Sequence, residues 1–175
     1  MLQAIAAQEH RLDALRPPAQ GALLALQKTR DVDLTYTSNA IKGNTLPLRE
    51  PAEVIDHGIT VGGKRLCDHL KAAGHYNAVL FMTDLASSGA AVGEAAVREL
   101  HRRIVFRSQP EMGGAYSLLP RRIAGSAVVF PNPLNIPVLM AEFGTWLGTA
   151  TLVPAFSFEA HFRLAAIHPF SDGHG

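Results

Sequence analysis

One cysteine, Cys67, stands in 175 residues, so no disulfide can staple the chain to itself, and a reducing, cytoplasmic setting is expected. Charge is sparse and nearly balanced. Charged residues make up 18%, and 16 Lys and Arg against 15 Asp and Glu leave a formal net charge of +1. Without a basic excess there is no electrostatic footprint for nucleic acid, so no nucleic-acid partner is expected. No apolar run approaches the ~20 residues that a membrane helix needs, so no membrane partner is expected either. The segment Met1 to His10 carries Gln8 and Glu9 and lacks the basic opening of a secretory signal. Internal repeats and low-complexity tracts are absent. What is plentiful is apolar material, 47% of residues, which supports a core and is too much for disorder. The length suits one domain, or one domain with an accessory segment.

The apolar residues repeat mostly at helical spacing. Leu2, Ile5, Ala6, Leu12 and Leu15 predict a helix ended by Pro17-Pro18. Leu23, Leu24 and Leu26 begin a second, which runs towards Ile41 and stops at Gly43-Asn44. A short helix is expected over Pro51 to His57, and a turn over Gly58 to Gly63. Leu66, Leu70, Ala73, Val79, Leu80 and Phe81 mark a helix weakened by Gly74 and broken at Ser87-Ser88-Gly89. Val92, Ala96, Leu100, Ile104 and Val105 give an amphipathic one.

The stretch from Gln109 to Asn135 changes in texture. Pro110, Gly113, Gly114, Pro120, Gly125, Pro131 and Pro133 oppose helix. Within it Arg122-Ile123-Ala124 and Ala127-Val128-Val129-Phe130 flank Gly125-Ser126, the pattern of a small surface β-hairpin. Helix resumes from Ile136 to Leu147. A last helix, Phe156 to Ile167, carries two apolar stripes: Phe156, Ala160, Leu164 and Ile167, then Phe158, Phe162 and Ala165. Two stripes predict a central, buried helix. His10, His57, His69 and His75 are expected on surfaces or helix faces, Trp146 in the core, Asn132 in a turn, and Arg102-Arg103 on a solvated face.

The last helix runs into His168-Pro169-Phe170-Ser171-Asp172-Gly173-His174-Gly175. Pro169 disfavours helical geometry at His168, which fixes this histidine at a helix end. Phe170 can anchor the loop in the core. Asp172 offers the hard oxygen that Mg²⁺ prefers. Gly173 and Gly175 tolerate the backbone angles that turn consecutive N–H groups towards an anion. A base, a metal ligand and a phosphate cradle within eight residues fit nucleotide transfer. Two other readings stand beside this one. The segment also fits a plain helix-terminating turn. His161, His168, Asp172 and His174 could gather zinc, although the close His-x-x-x-His pair is missing.

His168 to Gly175 closely resembles the Fic signature, His-Pro-Phe-x-Asp/Glu-Gly-Asn-Gly-Arg. Further resemblance lies in Leu100-His101, Gly114-Ala115-Tyr116, Arg122-Ile123-Ala124-Gly125, Val138 to Glu142, Trp146-Leu147 and Ala160-His161-Phe162. Ser38-Asn39-Ala40-Ile41-Lys42-Gly43-Asn44 resembles the family's N-terminal inhibitory motif, Ser/Thr-x-x-x-Glu-Gly/Asn. The likeness covers most of residues 30–175. It implies a mainly α, Fic-type helical fold with a small β-hairpin flap. Residues 1–95 would be an N-terminal helical region, with the inhibitory-like helix at about 30–44. Residues 96–175 would be the Fic core, C-terminally incomplete.

The resemblance also implies an activity: transfer of AMP from ATP to a Ser, Thr or Tyr hydroxyl of a target protein, self-modification included. His168 would be the general base, and Asp172 would hold Mg²⁺. Phe170, Gly173, His174 and Gly175 would receive the nucleotide. Arg122, Ile123, Ala124 and Gly125 of the flap would align the target by strand addition. Ser38, Lys42, Gly43 and Asn44 would form the inhibitory motif. The alternatives are a noncatalytic, Fic-like protein-binding module and a transferase using another nucleotide donor.

There are four departures from the pattern. His174 stands where the signature has Asn. The signature Arg lies beyond Gly175, where the sequence stops; with it are expected a further helix over the Phe158 and Phe162 stripe and a second Arg. Lys42 replaces the inhibitory Glu. Lys71 and Gly74 stand where relatives tend to carry Glu and Asn, which would weaken a buried polar contact.

Overall fold

The computed structural model describes residues 2–15, 20–47, 57, 60, 62–123, 125–151 and 153–173. Six helices are seen among them: α1 (Leu2–Asp13), α2 (Gln20–Ile41), α3 (Leu66–Ser88), α4 (Glu94–Val105), α5 (Ile136–Leu147) and α6 (Pro154–Ile167). They follow the periodicity closely. Of the helix expected over Pro51 to His57 only His57 is described, and the Pro17-Pro18 stop and half of the turn at Gly58 to Gly63 lie outside the described residues.

Local chemistry sets the helix ends. Gly89 caps α3 at φ 65° in the left-handed region, where glycine has no steric penalty. Glu94 opens α4, and Arg102 and Arg103 close it, each sign at the end of the helix dipole that favours it. Pro lies in the first turn of both α5 and α6, where its missing N–H costs nothing. Asn132 turns the chain into α5. Its side-chain oxygen accepts from the Leu134 N–H at 3.0 Å, starting a 3₁₀ turn at Pro133–Asn135.

Each helix leans on its neighbour in sequence from α2 onward, and α1 returns to touch α6. The core sits where α4 and α5 meet the loop after α6. Ile136, Met140, Phe143 and Leu147 form one face of α5 and enclose Val97 and Phe170. Tyr116, Trp146, Phe156, Ala160, Leu164 and Ile167 pack around that cluster, and the Trp146 ring stacks on Phe156 at 4.3 Å.

Three expectations need correction. The last helix is not buried: α6 has no buried residue, and Phe158 and Phe162, the stripe over which a further helix is expected, are 55% and 67% exposed. Only its Phe156–Ile167 stripe meets the core, and the second stripe faces outward. His69 is buried, with Nδ1 2.9 Å from the Arg65 carbonyl, because that face of α3 is covered. The flap is slighter than a two-stranded ladder. Among the described residues it is a turn at Gly125 closed by one antiparallel bridge, Arg122 to Val129.

Gly74, read from the sequence as a weak point in α3, is the point of closest helix contact. A Cβ there would lie 2.2 Å from the Ile104 carbonyl oxygen of α4. Backbone cannot yield as a side chain tip does, so the missing Cβ lets α3 and α4 pack. Gly74→Ala is expected to destabilise the protein by about 1–3 kcal/mol, the usual cost of overpacking. Gly21→Ala, at a helical position with no atom within 4 Å, is expected to stabilise by about 0.5–1 kcal/mol. Denaturant unfolding of both variants checks the pair.

Candidate active site

The helix α6 ends on His168, which takes φ 50° and ψ 57° and caps the helix through its N–H to the Leu164 carbonyl, 3.0 Å. A left-handed histidine is strained compared with glycine. It is the one non-glycine residue with positive φ among those described. Pro169, fully buried, and Phe170, 3% exposed, then drive the loop into the core. The Pro169 carbonyl accepts from the Ser117 N–H at 2.8 Å, tying the loop to the segment that leads into the flap.

His101 of α4 locks the next turn. Its ring lies flat on Phe170, with centroids 3.8 Å apart and planes 3° from parallel. The Gly114 N–H donates to Nδ1 at 3.0 Å, so the proton of the neutral ring resides on Nε2. Nε2 donates in turn to the Asp172 carbonyl at 3.0 Å. Burial, the largest influence, holds the His101 pKa below its ordinary value of 6.5 against the opposing pull of Asp172. Gly173 follows at φ 74°, and a Cβ there would meet Val105 at 2.7 Å and His101 at 3.2 Å. Only glycine meets both demands at that position.

The Asp172 carboxylate is reached from three sides. Oδ1 accepts the Gly173 N–H at 2.7 Å. Oδ2 is 3.5 Å from Lys71 Nζ on α3 and 3.4 Å from Gln109 Nε2. Burial opposes its ionisation, but the Gly173 N–H and the Lys71 and Lys42 charges together hold its pKa below the ordinary carboxylate value. The Gly173 N–H, expected to cradle an anion, is therefore turned onto the carboxylate of its own loop.

Lys42 arrives from the C-terminal end of α2. With Ser38, Lys71, His75 and Gly173 it lines a small cleft against Asp172, about 30 Å³. That is room for one or two waters. The inhibitory-like segment and the signature loop thus meet in space. Crowding lowers the Lys42 pKa, with Asp172 pulling the other way. Asn44 is turned from the cleft: its Nδ2 donates to the Asp68 carbonyl at 2.9 Å. Gly43 forms the stop at φ 79°.

His168 faces the flap. Phe130 stacks over its ring at 4.1 Å and 18°. Burial and then the nearby Arg121 guanidinium hold the His168 pKa below 6.5. Neither Phe130 nor Arg121 was singled out by residue type, because an aromatic and an arginine in a loop carry no periodic signal. Phe170, grouped by resemblance with the nucleotide contacts, has its side chain in the core and serves as the loop's anchor. Arg122, Ile123 and Gly125 are exposed on the flap. Ala124, His174 and Gly175 lie outside the described residues.

Three His, Cys, Asp or Glu side chains never come together to hold a metal among the described residues. The described members of the zinc alternative, His161, His168 and Asp172, thus do not converge. A lone carboxylate suits Mg²⁺, which keeps several waters and takes substrate phosphates beside one or two carboxylates. Gln109 fits the same picture: its Nε2 lies 3.4 Å from Oδ2, and its Oε1 is buried without a hydrogen-bond partner among the described residues.

His101→Phe would retain the stack on Phe170 and delete both hydrogen bonds. The orphaned Gly114 N–H and Asp172 carbonyl should cost about 2–4 kcal/mol together. Calorimetric unfolding measures that loss, and amide hydrogen exchange at Gly114 should rise with it.

Residues 91–175 match the model of the Fic/DOC family. Over 178 residues the chain is 29% identical to the protein adenylyltransferase Fic of Drosophila yakuba, an alignment covering 99% of this chain and 35% of that protein. The protein of the same name from Aedes aegypti is also 29% identical, over 88% of this chain and 32% of its own length. The chain therefore spans about a third of the curated relatives it matches. Among solved structures it is similar to Fic-1 from C. elegans, with TM-score 0.81, 24% identity, and coverage of 99% of this chain and 52% of that one. A Fic domain containing signaling protein from Bacteroides thetaiotaomicron gives TM-score 0.87 at 23% identity, covering 97% of this chain and 67% of that one. No described helix is long and apolar enough to cross a membrane. The helical architecture is that of the solved Fic structures, and the segment 91–175, which runs through the His168 loop, carries the match to the Fic/DOC family.

Proposed function

We propose that the chain is the catalytic part of a protein adenylyltransferase, moving AMP from ATP to a hydroxyl side chain of a target protein. One observation carries this reading. His168 and Asp172 sit on a single loop that is fixed at both ends, by the left-handed helix cap and by the His101 clamp. Groups held in this way lose little entropy on reaching a reactive geometry. The names of the insect relatives supply the reaction.

In this mechanism His168 accepts the proton of the target hydroxyl through a ring nitrogen. The hydroxyl oxygen bonds to the α-phosphorus as the bond to pyrophosphate breaks, and pyrophosphate leaves with that electron pair. A depressed pKa keeps the imidazole neutral, and so able to act as base, at neutral pH. Asp172 and the carboxamide of Gln109 would hold Mg²⁺, which when bound neutralises charge on the departing phosphates. The Gly173 N–H, which donates to the Asp172 carboxylate, would turn to a phosphate oxygen once that carboxylate is engaged elsewhere. The exposed flap residues Arg122, Ile123 and Gly125 offer backbone to an extended target segment.

Incubation with labelled ATP and Mg²⁺ tests the reading, using this chain and a version continued through the Arg of the signature. Label from the α-phosphate should appear on protein, and His168→Ala should reduce it by at least about 10²-fold, the lower range of general-base help. Label from GTP, CTP or UTP in place of ATP would change the donor and leave the base assignment standing. A folded His168→Ala variant with undiminished transfer would refute the base.

The pH profile provides a second check. Transfer requires neutral His168, so the rate rises with pH through its pKa, and the acidic limb should lie below 6.5. Arg121→Gln removes a positive neighbour, so the limb should move to higher pH.

Lys42 gives a third. A Glu at this position in the family motif restrains the site through the second signature Arg, and Lys42 has the opposite charge. Lys42→Glu in the continued chain should lower AMP transfer, and Lys42→Ala should change it little. An unchanged rate in Lys42→Glu would remove any regulatory role from the end of α2.

A further inference from the structure

The surroundings of Asp172 are unusual for a metal-binding carboxylate. Two lysines from separate helices, Lys42 and Lys71, share its cleft with His75. Among the described residues Asp172 is the one carboxylate in that lining. A site meant to take a free divalent cation gathers carboxylates, because each contributes attraction and a hard oxygen. Here positive charge outnumbers negative, and the Lys71 ammonium already lies 3.5 Å from Oδ2. The remaining oxygen, Oδ1, is engaged by the Gly173 N–H.

We propose that Lys71 is the resident counter-ion of Asp172, so that the site takes a divalent cation as a metal–polyphosphate complex and not as the free ion. A free cation must displace Lys71 and then share the cleft with two unpaired lysines. A metal bound to polyphosphate arrives with excess negative charge, and that charge gives the displaced Lys71 a new partner. Lys71 suits such a transfer. An ammonium is a point charge on a flexible stem with no fixed fork geometry, and it exchanges carboxylate for phosphate without reorientation of a plane. Both side chains are about two-fifths exposed, so the pair is screened and exchangeable and not a locked buried bridge. The family pattern, with Glu where Lys71 stands, would place a second acid near this carboxylate instead. The inference rests on the assignment of the metal to Asp172 made above.

Direct binding of Mn²⁺, followed by the loss of free-ion EPR signal, tests the proposal without any turnover. Wild-type chain should bind Mn²⁺ weakly alone and markedly better when a non-hydrolysable ATP analogue is present. Lys71→Met should tighten binding of Mn²⁺ alone by about tenfold at low salt, the scale of one partly screened charge at close range. Lys71→Arg, which keeps the charge, should bind as the wild type does. Equal Mn²⁺ affinity in wild type and Lys71→Met would overturn the counter-ion role. Tight binding of Mn²⁺ alone by the wild type would do the same. Asp172→Asn separates the two levels. If it abolishes Mn²⁺ binding while Lys71→Met has no effect, only the role of Lys71 fails. If it leaves Mn²⁺ binding intact, the metal is not at Asp172 and the catalytic reading loses its metal ligand. Thermal melting of each variant guards against loss of fold.

Discussion

The neutral ring of His101 is the contact on which the site depends. It is a flat spacer that receives the Gly114 N–H on one edge, donates to the Asp172 carbonyl from the other, and rests its face on Phe170. Three segments distant in sequence thereby acquire fixed relative positions: α4, the approach to the flap, and the loop after α6. The arrangement requires a specific tautomer. A protonated ring would have two donors and would oppose the Gly114 N–H, so burial that keeps His101 neutral also keeps the loop in register.

Rigidity on one side of the loop is matched by exchangeable polar contact on the other. Phe170 and Pro169 fill the interior, and the Pro169 carbonyl is tied to Ser117. The Asp172 carboxylate, two residues on, faces a cleft in which lysines, a glutamine and a glycine N–H compete for two oxygens. The Lys71 pair among them is about two-fifths exposed and worth little by itself. A scaffold with strong contacts behind the loop and weak ones in front can change ligands at the carboxylate without losing its shape.

At the opposite end of the loop, His168 lies between flap and core. The Phe130 stack and the Arg121 charge both act on it from the segment that would meet a target. The ionisation of His168 and the position of the flap are thus coupled through direct contact. By contrast, Phe158 and Phe162 on the outer side of α6 take no part in the site and lie outside the buried core cluster.

The sequence by itself determined the helices and the reactive loop. Apolar spacing located α5 at Ile136 to Leu147, and glycine and proline marked most of the stops, because both signals are local in the chain. The run from His168 to Gly173 stood out for the same reason, since its histidine, carboxylate and glycine are neighbours. Tertiary structure decided what those residues touch. Periodicity reports how apolar a helix face is and not whether anything covers it, so the second stripe of α6, read as buried, is exposed in this chain, and His69, read as a surface or helix-face residue, lies on a face that is buried. Gly74 looked like a defect in α3 until the Ile104 carbonyl was found against it. Lys42, Lys71 and Gln109 converge on Asp172 from 130, 101 and 63 positions away. The clamp by His101 spans 71. Contacts of that range are made by packing α2, α3 and α4 side by side, which no local pattern in the chain encodes.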